Sequence, residues 1–114
     1  MPTTEEEPEN EECVKVIGNE ILFYGSVDRE NALEFVEKFK KLEIDLLKKK
    51  AELVGYEPQI RVHVMSEGGD IFSGLNIMNV LERSRLRVVT IAQGSCCSAA
   101  TFILLGGSER RMGR

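Results

Sequence analysis

Apolar and polar positions change period several times along the chain, and each change marks an element. Val14 and Val16, then Ile21 and Phe23, recur two apart on either side of Gly18-Asn19. A period of two belongs to strands, and Gly-Asn tolerates the positive φ of a tight reversal, so a β-hairpin is predicted, its second arm ending at Gly25. Asp28 then reads as an N-cap with Glu30 in the first turn. Leu33, Val36, Phe39 (or Lys40), Leu42, Leu46 and Leu47 follow at helical spacing through a Glu/Lys-rich stretch to about Leu53. Lys48-Lys49-Lys50 near the helix end suits its negative dipole pole, and Gly55 and Pro58 stop the helix. The charge run is read as a solvated helix face.

Alternation returns at Ile60, Val62 and Val64, a strand that runs into Ser66-Glu67-Gly68-Gly69-Asp70. Phe72, Leu75, Met78 and Leu81, widened by Ile71, Ile77 and Val80, form the stripe of a second helix. Leu86–Ala92 reads as a strand, Gly94–Cys97 as a tight connection, and Ser98–Leu105 as a short apolar helix closed by Gly106-Gly107. Strand, helix, strand, helix implies parallel pairing through right-handed crossovers, hence an α/β layered domain.

Composition narrows the picture. With 114 residues, 42% apolar and 30% charged, the chain has the make-up of one domain. At this size a large cleft is not expected without a partner subunit or further sequence. Six Glu lie in residues 1–12 with no Lys or Arg, so 13 acids against 15 bases leave +2 on the rest of a chain whose total is −4. Residues 1–12 are expected to be a disordered acidic tail, and 13–114 the domain. No basic stripe carries interleaved aromatics, so no nucleic-acid partner is expected. No apolar run is long enough for a bilayer and no signal-peptide pattern opens the chain, so a soluble cytoplasmic protein is predicted, with no membrane partner. Cys13, Cys96 and Cys97 show no C-x-x-C spacing; a reducing compartment and a role as small buried apolar residues are expected, with no metal and no cofactor.

Chemistry is expected where strands end, since ligands bind at the C-terminal edge of parallel sheets. Gly68-Gly69 is either a plain tight turn or a place where backbone N–H groups approach a ligand. In Gly94-Ser95-Cys96-Cys97-Ser98-Ala99-Ala100, Ser98 is either a helix N-cap or a nucleophile at the positive pole of a helix. The G-x-S-x-G elbow is not matched. His63, the single histidine, alternates with Val62 and Val64 and is expected on the second face of the sheet. Cys96 and Cys97 are read as packing residues rather than nucleophiles.

Taken together, Met65–Leu75 with its Ser-Glu-Gly-Gly turn, Val88–Ala92 and Gly94–Gly107 resemble the Clp protease proteolytic subunit (ClpP) family, serine peptidases of the ClpP/crotonase fold. There a Ser-Pro-Gly-Gly turn precedes a Gly-containing helix, a strand and a Gly-x-x-x-Ser run. The 29-position step from Gly69 to Ser98 matches, and the likeness spans roughly residues 20–114. The resemblance implies Ser98 as catalytic nucleophile and the backbone N–H groups of Gly69 and Ala99 as oxyanion hole. It also implies substrate binding at Gly68, Asp70 and Ile71, through a strand leaving Gly69 that pairs with an extended peptide. Implied partners are peptides or unfolded proteins, further copies in homo-oligomeric rings, and an AAA+ ATPase.

Two departures stand out. Glu67 takes the place of the usual proline, and Ala99-Ala100 that of a Met-Gly pair. In the family the base histidine and the aspartate follow the nucleophile at a distance that Arg114 does not reach, so a C-terminally truncated, by itself inactive piece is expected. The alternatives are a non-catalytic ring or assembly subunit, and a crotonase-fold acyl-CoA enzyme.

Overall fold

The computed structural model describes residues 13–113, so the expected acidic tail lies outside the described residues. β1 (Val14–Ile17) and β2 (Glu20–Tyr24) form the antiparallel hairpin, with Gly18 at φ +61 in its turn. α1 (Arg29–Glu52) leads to β3 (Gln59–Ser66), α2 (Ile71–Glu82) to β4 (Arg87–Cys96), and α3 (Ala99–Leu105) to β5 (Glu109–Met112). The sheet runs β1-β2-β3-β4-β5, and every pairing from β2 onward is parallel.

Each strand adds on the same side of its predecessor. Crossovers of one hand that always step in the same direction keep their helices on one face of the sheet. The core accordingly forms between that face and the three helices. Ile21 and Phe23 of β2, Ile60, Val62 and Val64 of β3 and Val88 of β4 are fully buried there with Phe35, Phe39, Ile77 and Ile103 of the helices. Phe23 meets Phe35 edge-on at 6.0 Å between ring centroids, and Phe35 stacks on Phe39 at 5.9 Å. Each such side chain contributes about 1.5–3 kcal/mol by leaving water.

Asp28 caps α1 as expected, accepting the Asn31 N–H at 2.7 Å. The buried stripe differs from the one read off the leucines: it is Ala32, Phe35, Phe39, Leu42 and Leu46, while Leu33 is 60% exposed. Steps of three and four from Ala32 keep to one line on the helix, whereas Leu33 lies about 100° around from it. On α2 the buried positions are Ser73, Gly74, Ile77 and Leu81, and Phe72 is 79% exposed.

Among the described residues the second face of the sheet carries no helix. His63 sits there as expected, bonded through Nε2 to Glu20 Oε1 at 2.8 Å and through Nδ1 to the Gln93 amide at 2.9 Å. Val89 and Ile91 are buried on this face between flanking rows that include Arg61, His63, Glu109 and Arg111. Glu109 is held below the usual carboxylate range by the Arg111 and Arg87 guanidiniums. The cysteines divide. Cys13 and Cys96 are half-buried against the core, and burial with nearby Glu34 and Asp28 pushes the Cys13 thiol up to about 11. Cys97 is exposed, contrary to the expectation that all three are packed away, because the chain leaves the sheet at that point.

Candidate active site

The C-terminal ends of β3 and β4 meet at one edge of the sheet. Gly94–Cys97 is not the tight connection expected from its small residues. β4 continues to Cys96, and a shift in register sets Val64 opposite Ala92 but Ser66 opposite Cys96. Gly94 takes φ +67 inside this bulge, a conformation that glycine adopts at little cost. The bulge lets β4 keep contact with β3 while turning toward α3. Cys96 Sγ donates to the Val64 carbonyl at 3.0 Å, and the Cys97 N–H donates to the Ser66 carbonyl at 3.1 Å.

Ser66 is buried, and its hydroxyl accepts the Gly68 N–H at 3.0 Å, closing the turn with a side chain. Gly68 and Gly69 follow at φ +105 and +145. Neither has room for a side chain. A Cβ on Gly68 would lie 2.7 Å from the Cys97 carbonyl oxygen, 2.9 Å from Ser98 Cβ and 3.3 Å from Ala99 N. One on Gly69 would lie 2.3 Å from the Val27 carbonyl oxygen. The glycine turn and the start of α3 are therefore in van der Waals contact.

Val27 bridges Gly69 in parallel fashion: its N–H donates to the Gly68 carbonyl at 2.9 Å and its carbonyl accepts the Asp70 N–H at 2.6 Å. This pairing turns the N–H and C=O of Gly69 itself to the opposite side. Among the described residues, neither Gly69 group takes part in a hydrogen bond, and the Ala99 N–H has no acceptor.

Ser98 precedes Ala99 with φ 54 and ψ −120, the sole positive φ outside glycine among the described residues. Such a backbone costs about 1–3 kcal/mol and persists only where the surroundings dictate it. The side chain is exposed and bonds to no N–H of α3, so Ser98 occupies the cap position without capping. An N-cap serine takes an extended backbone and accepts from the second or third N–H of its helix. Ser98 does neither. Ser98 thus stands exposed at the sheet edge, its Cβ close against Gly68 and its carbonyl leading directly into the acceptor-free Ala99 N–H, and free amides at a helix start can hold developing negative charge.

The strand expected to leave Gly69 through Asp70 and Ile71 is absent. Asp70 is the N-cap of α2, accepting the Phe72 and Ser73 N–H groups and the Ser73 hydroxyl, and Ile71 is already helical. The Ser73 hydroxyl, with the Phe72 and Ser73 amides and Arg29, holds the Asp70 carboxyl below its usual value. The extended run ends at Asp70, whose carboxylate is taken up by its own helix.

Three supporting residues escaped the sequence reading. Ser66 was legible in principle, since a serine two positions before a glycine is a side-chain turn pattern. Gly74, in mid-helix, was another signal: a Cβ there would fall 2.6 Å from the Ala99 carbonyl oxygen, so α2 needs this glycine to seat α3. Val27 gave no local sign, because its partner lies 42 positions away. Among the described residues no group of three or more His, Cys, Asp or Glu side chains is placed to hold a metal, and no helix is long and apolar enough to cross a membrane.

The fold and the sequence both have known relatives. Among solved structures the chain is similar to ClpP1 from Listeria monocytogenes, with TM-score 0.67, 21% identity, and coverage of 79% of this chain and 47% of that one. The N165D mutant of the same protein matches with the same values. The ClpP protease catalytic domain from Plasmodium falciparum gives TM-score 0.65 and 22% identity over 79% of this chain and 44% of that one. The chain thus spans about half the length of the solved structures it matches. The sequence profile of Clp protease matches residues 11–113, nearly the whole chain, and the chain belongs to that family.

Proposed function

We propose that this chain carries the nucleophile and the oxyanion hole of a Clp-type serine endopeptidase. The observation that carries the reading is the exposed, uncapping, positive-φ Ser98 in contact with the Gly68-Gly69 turn. In this reading Ser98 Oγ attacks the carbonyl carbon of a peptide bond and passes its proton to a base. The carbonyl oxygen, now negative, accepts from the Gly69 and Ala99 N–H groups. Collapse expels the amine, which takes up the proton, and water then releases the acyl group from Ser98. Fixed donors matter because removing one such hydrogen bond raises the barrier by about 2.7–4 kcal/mol. Here the Val27 bridge fixes one donor and the α3 start fixes the other.

Both ring nitrogens of His63 are engaged by Glu20 and Gln93, so the proposal assigns the base to a group outside these 114 residues. Substrate pairing falls on the outward N–H and C=O edge of Gly69 rather than on Asp70 and Ile71, whose backbone enters α2. Assembly into homo-oligomeric rings and delivery of unfolded polypeptide by an AAA+ ATPase belong to the same proposal.

A fluorophosphonate reagent applied to the full-length protein tests it. The expected result is one adduct, located on Ser98 by peptide mass spectrometry and lost in Ser98→Ala. Labelling elsewhere, or none, contradicts the reading.

A further inference from the structure

Beside the glycine turn lies a cavity of about 520 Å³ lined by Tyr24, Ser26, Met65, Ser66, Glu67 and Ser95. It shares Ser66 and Glu67 with the turn that leads to Gly68-Gly69. Its walls are of two kinds. Tyr24 and Met65, 40% and 41% exposed, offer apolar surface, and the serines offer neutral hydroxyls. Among the described residues Glu67 brings the one carboxylate, and no Lys, Arg or His lines the cavity. Elsewhere on the sheet acidic groups have side-chain partners: Glu109 pairs with Arg87 and Arg111, and Glu20 hydrogen-bonds to His63. Glu67 makes no ion pair and no side-chain hydrogen bond among the described residues.

A negative pocket with an apolar side suits one type of side chain: a hydrocarbon stem that lies along tyrosine and methionine, ending in a cation. We infer that this cavity receives a lysine or arginine side chain of the substrate next to the bond under attack, with Glu67 as the residue that sets the preference. The inference rests on the peptidase reading above and adds to it a substrate class. Acidic side chains are disfavoured by the same carboxylate, so selection works by attraction and by repulsion together.

The test compares peptidyl diphenyl phosphonates that differ only in bearing a lysyl, leucyl or glutamyl side chain at the phosphorus-bearing residue. Each reacts by attack of Ser98 Oγ on phosphorus with loss of phenoxide, which leaves as phenol with the serine proton. In the full-length protein the lysyl probe is expected to label Ser98 about fivefold faster than the leucyl probe at low salt, the range for a partly exposed charge pair. The glutamyl probe should be slowest. The lysyl-to-leucyl ratio should fall toward one in Glu67→Gln and reverse toward the glutamyl probe in Glu67→Lys. Added salt should lower the ratio in the native protein, which decides the matter without any variant. Equal labelling by all three probes overturns this inference and leaves the peptidase reading standing. A ratio that survives Glu67→Gln overturns the role of Glu67. No labelling by any probe overturns the peptidase reading and this inference with it.

Discussion

α1 and the edge formed by Ser66–Asp70 and Cys96–Ala99 are built on opposite principles. α1 is held by side chains: Phe35 and Phe39 are fully buried, its polar face is solvated, and its backbone is regular throughout. The site edge is held by backbone. Ser66, Gly68, Val27, Asp70 and Cys97 are tied through main-chain hydrogen bonds, and three residues sit at positive φ. Burial over a helix averages many small contacts and tolerates exchange of one apolar residue for another. A backbone cluster has few partners and almost no slack, so it fixes amide directions well and tolerates substitution badly. A site that depends on where N–H groups point is better made in the second way.

That contrast can be broken by mutation, and the largest effect is expected in the first region. Phe35→Ala removes a ring that touches both Phe23 and Phe39, and should lower the unfolding free energy by about 3–5 kcal/mol in urea titrations. The loss is global, with all probes moving together. Gly68→Ala places a Cβ against the Cys97 carbonyl and Ser98 Cβ. It should cost about 2–4 kcal/mol from strain and overpacking and abolish reaction at Ser98 even in the fraction that folds. Equal reactivity in the folded fraction would show that the amide cluster is not what organises the site.

Asp70→Ala removes the cap of α2 and should destabilise the fold by less than Gly68→Ala does. The folded carboxyl lies below its ordinary value of 3.8, so the contribution is complete above that pH and disappears as pH falls through the folded value. The native protein and Asp70→Ala should therefore converge in stability under acid, as thermal melts at several pH values would reveal. The smallest effect is expected at the residue of most interest. Ser98→Ala should change stability by less than about 0.5 kcal/mol, because the hydroxyl bonds to no helix amide. A loss near 1 kcal/mol would restore the capping role.

How much of this was legible in the sequence follows the same division. The hairpin, α1, β3, α2 and the first part of β4 declare themselves because buried side chains leave a period. Within α1 the reading favoured Leu33 over Phe35, since leucines at helical spacing compete with the true stripe and only the angle between Ala32 and Leu33 separates them. At the edge the glycines and Ser98 could be singled out by type, but not their conformation. The φ of Ser98, the bulge at Gly94 and the bridge from Val27 to Gly69 arise from contacts across the sheet, and no run of neighbouring residues encodes them. Asp70 is the opposite case: an aspartate ahead of an apolar run is a capping signal legible from neighbouring residues alone, and it outweighs the extended course that the family resemblance implies.

The account turns on two amides and a hydroxyl facing a common point. A crystal structure of the full-length protein with a peptide boronate or phosphonate bound tests this most directly. It should show the inhibitor joined to Ser98 Oγ, with one of its oxygens about 2.7–3.1 Å from both Gly69 N and Ala99 N. An inhibitor oxygen directed into solvent, with those two amides turned elsewhere, would contradict it.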